Sequence, residues 1–312
     1  MIDRQRMIRW KEGIRNKMQT GEYSKTGPKI LERLPARISR SNKGTYGKVL
    51  CIAGSLNMAG AAYLCACAAY RTGAGLVRVV TPEENRVILQ SLLPEALLTT
   101  FDTEDPDLDR ILEAFRWADV AAVGPGLGKA PWAYELTRLA LEHFQGPLVV
   151  DADGLNHLAG HMELLKPRRD GVIVTPHPGE FKRLTGLSMP EILSDIPGHA
   201  VRFAAEHQCV CVLKDALSAV AAPSGSCHVN TTGNNGMSTG GSGDVLTGIL
   251  AGLLAQKLPA SEAAVLGVWL HGRAGDLAAE KEGVYGMMAR HLLEYLPKAM
   301  RREEETEEKD RP

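Results

Sequence analysis

The chain has 312 residues and a mass of 33.7 kDa, and its 36 basic and 37 acidic residues leave a formal net charge of -1. This composition is typical of a folded globular protein, and the near-neutral charge gives no electrostatic indication of nucleic-acid binding. The longest apolar stretch, residues 245–255, has about half of the roughly 20 residues that a membrane-spanning helix needs. We therefore expect neither a nucleic-acid partner nor a membrane partner.

The N-terminal segment is basic, with 11 Lys or Arg against 4 Asp or Glu in residues 1–40. It has no continuous apolar core of the kind found in secretory signals. Apolar residues at helical spacing between Ile2 and Met18 predict an amphipathic helix, which packs either on a partner subunit or on its own domain. We assign residues 1–36 to a basic N-terminal extension, residues 37–300 to one α/β domain and residues 301–312 to a charged tail.

The six cysteines are too few for a disulfide scaffold. Two pairs have C-x-C spacing: Cys65 and Cys67 in an alanine-rich helical run, and Cys209 and Cys211 in a β-branched run. Zinc sites use wider spacing and further His or Cys ligands. The cysteines are therefore predicted to be buried core residues, in a protein of the reducing cytoplasm.

Short apolar runs alternate with longer helical segments over residues 41–300. Nearly continuous apolar runs are typical of parallel strands that are covered on both faces, and segments such as 59–72, 131–144 and 197–207 are long enough for crossover helices. The predicted strands are residues 48–53, 76–81, 96–100, 120–123, 148–151, 172–175, 210–214, 219–222 and 227–230. This alternation predicts a doubly wound α/β fold with a mostly parallel sheet.

Glycines and polar residues follow four of these strands, as A-G-S at 53–55, G-P-G-L-G at 124–128, D-A-D-G at 151–154 and P-H-P-G-E at 176–180. In an open parallel sheet, ligands bind beyond the carboxyl ends of the strands. The four segments are therefore expected to line one ligand-binding edge.

The most informative segment is T-T-G-N-N-G-M-S-T-G-G-S-G-D at residues 231–244, directly before an apolar helix predicted at 245–256. Glycines before a helix leave backbone N–H groups unshielded, and the helix dipole adds positive potential, so the segment predicts a phosphate site. Asp244 is either a helix cap or a base that accepts the proton of an attacking hydroxyl. The G-G-x-G-D run favours the base.

Other catalytic motifs are absent from the sequence. Residues 124–130 lack the register of a Walker loop, residues 240–244 lack the second glycine of a nucleophile elbow, and no H-E-x-x-H occurs. Metalloprotease and serine-hydrolase functions are therefore excluded.

These residues resemble the ADP- or ATP-dependent NAD(P)H-hydrate dehydratases of the ribokinase-like superfamily. G-G-[S/T]-G-D alone indicates only the superfamily, whereas K-G-T-Y-G at 43–47 and T-P-H-P-G-E-F at 175–181 are specific to the family. The matching segments keep the family's order and are residues 43–47, 53–55, 60–62, 124–127, 151–155, 175–181, 212–214, 232–234, 240–244 and 271–272.

The resemblance implies a ribokinase-like fold and a repair reaction. The substrate would be the S epimer of NADH or NADPH hydrated at C6 of the nicotinamide ring, and the nucleotide would phosphorylate that hydroxyl before phosphate is lost. The T-P-H-P-G-E sequence resembles the bacterial and archaeal branch, which is associated with ADP rather than ATP, with Mg2+ on the phosphates. The resemblance also implies a homotetramer and a separate epimerase, because an epimerase domain does not fit into about 40 residues.

The resemblance also implies site residues, with no metal ligand identified. Asp244 would be the catalytic base, and the amides of Gly241, Ser242, Gly243 and Asp244 would stabilise the phosphoryl group. The substrate-binding residues would be Ala61, Gly124, Gly126, His177, Asn234 and Asp244. The nucleotide-binding residues would be Lys214, Asp215, Ala216, Leu217, Ser218 and Gly243.

Some of these assignments have alternatives. Asp215 stands where the family usually has glycine, and Asn235 where proline is common; a carboxylate facing the nucleotide phosphates would weaken binding. His177 would otherwise be a loop residue that fixes the turn between two prolines. Two rival functions are a kinase of the same superfamily acting on a vitamin precursor or sugar, which leaves phosphate on its product, and a catalytically inactive nucleotide-binding regulator. The intact G-G-S-G-D sequence argues against the regulator.

Overall fold

A computed structural model describes residues 23–165 and 171–302. These residues contain one ten-stranded sheet. Its strands, in chain order, are β1 (Ser24–Lys25), β2 (Lys48–Ile52), β3 (Leu76–Pro82), β4 (Leu97–Phe101), β5 (Val120–Val123), β6 (Leu148–Val150), β7 (Val172–Val174), β8 (Val210–Leu213), β9 (Ala219–Ala221) and β10 (Cys227–Val229).

The strands lie in the order β1-β10-β9-β8-β7-β6-β5-β2-β3-β4. Every neighbouring pair from β8 to β4 is parallel, whereas β9 is antiparallel to both β8 and β10. All nine strands expected from the sequence are present, so the predicted mostly parallel α/β fold is confirmed. The tenth, β1, has two residues, too few to show a periodicity.

Helices cover both faces of the sheet. No helix of the described ranges is long and apolar enough to cross a membrane. The helices are α1 (Ala59–Thr72), α2 (Arg86–Leu92), α3 (Leu108–Trp117), α4 (Pro131–His143), α5 (Ala152–Leu158), α6 (Pro178–Thr185), α7 (Met189–Ile192), α8 (Ile196–His207), α9 (Ser242–Ala255), α10 (Ala260–Gly286) and α11 (Ala289–Ala299).

Two hydrophobic cores, one on each face, explain the continuous apolar strands. Along β2, Val49 and Cys51 belong to the first core, which the sheet forms with α1, α9, α10 and α11. Leu50 and Ile52 belong to the second core, formed with α3, α4, α5, α6 and α8. Because successive side chains point to opposite faces, a strand that is covered twice has to be apolar throughout.

Residues 23–34, within the expected N-terminal extension, add to this folded unit. Strand β1 pairs with β10, and Ile30 and Leu31 in the 3-10 turn Pro28–Arg33 are buried in the first core. The amphipathic helix predicted between residues 2 and 18, and the tail beyond residue 302, lie outside the described residues. The division of the chain at residues 36 and 300 stays a prediction.

All six cysteines are buried, as the sequence predicts. The Cys51 and Cys65 thiols lie 3.7 Å apart in the first core, and burial raises the pKa of Cys209 to about 12. Within residues 23–165 and 171–302, no group of three or more His, Cys, Asp or Glu side chains could hold a metal ion. All six cysteines belong to the two hydrophobic cores, where they pack against apolar neighbours.

The chain reverses its direction of winding between β2 and β5. Strands β3 and β4 lie on one side of β2, and β5 to β8 on the other. The loops beyond β2 and β5 meet there, since the Gly54 N–H donates to the Pro125 carbonyl over 2.8 Å and Ser55 Oγ donates to the Gly126 carbonyl over 2.8 Å. A crevice at such a reversal is where open α/β sheets bind ligands.

Helix α9, which follows the glycine-rich segment, lies directly against the backbone of α1. A Cβ atom at Gly248 would collide with the carbonyl oxygen of Cys65, and one at Gly252 would lie 2.8 Å from the carbonyl oxygen of Ala69. The two glycines thus let the helices approach closely, which fixes the position of the α9 N-terminus.

We predict that Gly248→Ala lowers the free energy of unfolding by about 1–3 kcal/mol, because a backbone oxygen cannot move aside as a side chain can. Gly60→Ala in α1 is the matched control. No atom lies within 4 Å of its Cβ position, so alanine is expected to be neutral or to stabilise by up to about 1 kcal/mol. Urea denaturation followed by circular dichroism measures both variants, and equal midpoints would contradict the close contact of α1 and α9.

Candidate active site

The glycine-rich segment leads into the N-terminus of helix α9. The N-cap residue of this helix is a glycine, so no N-cap side chain covers the first backbone N–H groups. The N-cap is Gly241, with φ of 89°, and a Cβ atom there would collide with Leu64. The helix begins at Ser242, three residues before the predicted start, so Ser242, Gly243 and Asp244 form its first turn. The Ser242 N–H donates to the Thr239 carbonyl over 3.4 Å, which leaves the Gly243 and Asp244 amides and the helix dipole as the features of this N-terminus that favour an anion.

Asp244 is not the N-cap, so the alternative of a purely capping aspartate is wrong. Burial and the neighbouring Asp151 carboxylate raise the pKa of its carboxyl against the opposing charge of Lys214, to about 6. Asp244 is therefore ionised at pH 7 yet more basic than an exposed aspartate. These are the properties of a general base.

Beneath the first turn of α9 lies an ion pair between the buried Asp151 and the half-buried Lys214. Lys214 Nζ donates to Asp151 Oδ1 over 2.8 Å, and Thr247 Oγ1 of α9 donates to Asp151 Oδ2 over 2.6 Å. Burial disfavours both charges, but their attraction keeps the pKa of Asp151 below its usual value and that of Lys214 above it. The Cβ position of Gly243 is only 3.5 Å from Lys214 Nζ, so a fixed cation adjoins the anion site.

His177 is the N-cap of α6, and its ring makes the cap. Its Nδ1 accepts from the Gly179 N–H over 2.9 Å, while Glu180 Oε2 accepts from the His177 N–H over 2.8 Å. Burial and the Lys214 charge lower the pKa of His177, so the neutral ring carries its proton on Nε2. His177 can therefore fix the turn through Nδ1 and still offer its exposed Nε2–H to a substrate.

Glu180 connects His177 to the ion pair. Its carboxyl oxygens lie 3.4 Å from His177 Nε2 and 3.9 Å from Lys214 Nζ. Burial raises the pKa of Glu180 to about 7 against the pull of Lys214. The expected substrate-side histidine and nucleotide-side lysine thus share one carboxyl group.

The structure brings together the three small residues expected to bind substrate. The Cβ position of Gly126 is 2.7 Å from Ala61 Cβ, and a Cβ atom at Gly124 would collide with the carbonyl oxygen of Asp151. Both glycines have positive φ: 126° at Gly124 and 62° at Gly126. They keep the crevice open next to Asp151, where larger side chains would close it.

The loop between β8 and β9 contains the other expected nucleotide-binding residues. Asp215 and Ala216 are exposed, and Leu217 and Ser218 are half-buried. Ser218 Oγ donates to the Asp215 carbonyl over 3.1 Å, which closes a tight turn directly after Lys214. The loop is therefore an open surface beside the ion pair.

Asn234 is held by α10 and not by the ion pair. Its Nδ2 donates to Asp276 Oδ1 over 3.1 Å. From the same helix, His271 Nε2 donates to the Ser242 carbonyl over 2.9 Å, and burial lowers the pKa of His271 to about 4, so the ring is neutral. Helix α10 thus contacts both ends of the glycine-rich segment.

The structure places Asp244, Gly243, Lys214 and, through Glu180, His177 in one network. Sequence reasoning gave no individual role to several residues that support it, although it placed the segments 151–154 and 176–180 at the ligand-binding edge. Two of them carried a signal, since Asp151 ends a strand and Glu180 stands at the third helical position after His177, where a capping box expects Glu. The missed residues are Asp151, Glu180, Thr247, His271 and Asp276.

An α/β fold in which a helix begins at a glycine N-cap, beside a lysine and a first-turn aspartate, is typical of the ribokinase-like class. The sequence profile described as NAD(P)H-hydrate dehydratase matches residues 49–298. The chain belongs to this family.

Individual relatives agree with this assignment. The chain is 43% identical over 283 residues to a bifunctional NAD(P)H-hydrate repair enzyme of Moorella thermoacetica, covering 88% of this chain and 53% of the relative. It is 34% identical to the ADP-dependent (S)-NAD(P)H-hydrate dehydratase of Bacillus subtilis, covering 88% of this chain and 96% of the relative. The chain thus spans about half the length of the bifunctional relatives it matches.

Solved structures share the fold. A crystal structure of the ADP/ATP-dependent NAD(P)H-hydrate dehydratase from Bacillus subtilis, co-crystallised with ATP and Mg2+, superposes with a TM-score of 0.79 at 33% identity, over 89% of this chain and 97% of that one. A ribokinase-like superfamily protein from Enterococcus faecalis superposes with a TM-score of 0.80 at 29% identity, over 89% and 95%. The expected ribokinase-like fold is confirmed.

We predict that Asp244→Asn stabilises the protein at pH 8, by about 3 kcal/mol. A carboxyl whose pKa is raised in the folded state binds its proton more tightly there than in the unfolded state. Its contribution to stability is therefore present below about pH 4 and is lost as the pH rises through about 6. The amide never ionises, so the gain is expected to vanish toward pH 4. Urea titrations at pH 4, 6 and 8 measure it, and a gain that is independent of pH would contradict the burial of a charged Asp244.

Proposed function

We propose that this chain dehydrates the S epimer of NAD(P)H hydrate at the expense of ADP, releasing NAD(P)H, AMP and phosphate. One observation carries the proposal. An aspartate with a raised pKa lies in the first turn of a helix that begins at a glycine N-cap, next to the Lys214–Asp151 pair. A base and an anion site within one helical turn suit phosphorylation of a hydroxyl group. Family membership supplies the identity of that hydroxyl.

The reaction divides into transfer and elimination. Asp244 takes the proton of the C6 hydroxyl. The hydroxyl oxygen attacks the β-phosphorus of ADP, and AMP leaves. The amides of Gly243 and Asp244 face the negative charge on the transferring group. The lone pair of the ring nitrogen then expels phosphate from C6, a proton leaves C5, and the C5–C6 double bond of the reduced nicotinamide is restored. Phosphate is a much better leaving group than hydroxide, which is the purpose of the transfer.

The substrates would lie on two sides of Asp244. The nucleotide would occupy the Lys214–Ser218 side, where a fixed ammonium and an exposed loop follow β8. The hydrated dinucleotide would occupy the crevice of Ala61, Gly124 and Gly126, with His177 between the two sides. Because Glu180 contacts both His177 and Lys214, the two binding regions are electrostatically coupled.

Mg2+ fits this site as a companion of the phosphates. The part of the chain that the structure describes has no cluster of three metal-ligating side chains, which suits an ion bound mainly by phosphate oxygens and water. Glu180, beside Lys214, would be its carboxylate ligand. When bound, the ion would offset the negative charge of the phosphates.

The wider setting is part of the same proposal. An epimerase activity, which would interconvert the two hydrate epimers, is expected to reside outside the matched residues 49–298. The family resemblance implies a homotetramer, and the small number of cysteines favours a cytoplasmic location. The buried cysteine thiols fit a reducing compartment.

The direct test supplies purified S hydrate of NADH with ADP and Mg2+, and follows the absorbance of reduced nicotinamide together with AMP and phosphate. Equal amounts of the three products are expected, and ATP at the same concentration is expected to be used less well. A stable phosphorylated product would indicate a kinase. Nucleotide binding without any product would indicate a regulator. The R epimer is expected to remain unreacted.

Asp244→Asn is expected to bind ADP as the wild type does and to lose a factor of about 10² to 10⁴ in turnover. The amide keeps the shape of the side chain but cannot accept the hydroxyl proton. Steady-state rates, with ADP affinity from calorimetry as the control, measure this. A folded variant with near-normal turnover would remove Asp244 from the role of base.

Asp215→Gly, which introduces the usual family residue, is expected to change ADP affinity by less than about twofold. Asp215 is exposed, and water and salt screen an exposed carboxylate. Calorimetric titration with ADP at low and high salt, with and without Mg2+, measures the effect. A gain in affinity that shrinks at high salt would show instead that the carboxylate faces the phosphates, because salt screens that repulsion. A gain that persists at high salt would rule out repulsion as its cause, and a loss of affinity would show that Asp215 helps to hold the nucleotide or its ion.

A further inference from the structure

The loop that carries Asn234 packs on a face of α10 where two glycines, Gly272 and Gly275, leave the helix backbone uncovered. Cβ atoms at Gly272 and Gly275 would collide with Thr232 and with the sulfur of Met237, respectively. Thr232 Oγ1 also donates to the carbonyl of Trp269, one turn earlier on the helix, over 3.0 Å. The loop is thus fixed to the helix by direct contact with its backbone.

Asp276 comes one turn after Gly272 on the same face. Its Oδ2 accepts from the Gly233 N–H over 3.0 Å, and its Oδ1 accepts from Asn234 Nδ2 over 3.1 Å. Asn234 Oδ1 in turn accepts from the Gly236 N–H over 3.0 Å. Each of the three bonds pairs a donor with an acceptor, so the Asn234 amide has only one orientation.

We propose that Asp276 is a positioning residue that acts through Asn234 on the hydrated dinucleotide, an inference that rests on the proposed function. The anchoring by Gly272 and Gly275 already holds the loop on the helix, so the carboxylate has the narrower task of fixing one side-chain amide. With Nδ2 bound once to Asp276, its second N–H is free to bind an acceptor on the substrate. Helix α10 thereby sets the substrate loop through Asp276 and the phosphate site through His271.

Asp276→Asn tests the assignment, because its amide NH2 meets either the Gly233 N–H or the Asn234 NH2, donor against donor. The KM for the hydrate is expected to rise about 10- to 100-fold, as for loss of a hydrogen bond to a charged group. The kcat at saturating hydrate and the ADP affinity are expected to stay within about threefold. Glu280→Gln removes an exposed charge one turn further along α10 and is the matched control, with no change expected. A fall in kcat at unchanged KM would overturn the proposal.

A double-mutant cycle identifies the route of the effect. If Asp276 acts through Asn234, Asp276→Asn adds less than about twofold to the KM of Asn234→Ala; multiplicative effects would overturn that route. Amide hydrogen exchange at Gly233 is expected to be faster in Asp276→Asn than in the wild type, and unchanged in Glu280→Gln.

Calorimetry with the NADH hydrate in the absence of nucleotide repeats the comparison without turnover. Asp276→Asn is expected to bind the hydrate about 10-fold more weakly than the wild type and Glu280→Gln do. Equal affinities would overturn the role of Asp276, whereas a wild type that binds the hydrate but forms no reduced nicotinamide would refute the proposed reaction alone.

Discussion

The site depends on one buried carboxylate that has to be satisfied. Asp151 is 1% exposed, and an uncompensated charge at that depth would cost several kcal/mol. Its two oxygens are bound by Lys214 at the end of β8 and by Thr247 in α9. Two strand ends and the N-terminus of α9 are therefore held at one point, and the first turn of α9 cannot move relative to the sheet without exposing this charge.

The same carboxylate influences the pKa values of the neighbouring carboxyl groups, including Asp244, the proposed base. Asp151 raises the pKa of Asp244, while Lys214 lowers it, so the pair gives the base opposing influences and leaves burial to decide the outcome. At Glu180 burial again exceeds the pull of the lysine. A cation that is already paired neutralises neither neighbour fully, which leaves two carboxyl groups that titrate near neutral pH within one pocket.

The parts of the fold that follow from local pattern could be predicted from the sequence. Strands covered on both faces are continuous apolar runs, and the glycines before Asp244 mark the N-terminus of a helix whatever else surrounds it. The supporting residues could not be found in this way. Thr247 meets Asp151 across 96 positions of the chain, and Asp276 meets Gly233 across 43, so no local spacing reveals either contact.

The start of helix α9 differs from the prediction for a geometric reason. Helix α9 begins three residues before the first apolar residue, because Gly241 adopts a left-handed conformation in which the helix can start. The apolar periodicity of a sequence detects the buried face of a helix and not its first turn. That first turn contains Ser242, Gly243 and Asp244, the chemically important part of the helix.

The buried cysteines can be used as probes of local opening of the protein. Cys51, Cys65 and Cys67 lie in the core on one face of the sheet, and Cys209, Cys211 and Cys227 in the core on the other. Burial and neighbouring thiols raise the pKa values of Cys65 and Cys211, and alkylating reagents attack the thiolate. The native protein should therefore react slowly, and the rate of labelling at each cysteine reports how often its layer of helices separates from the sheet.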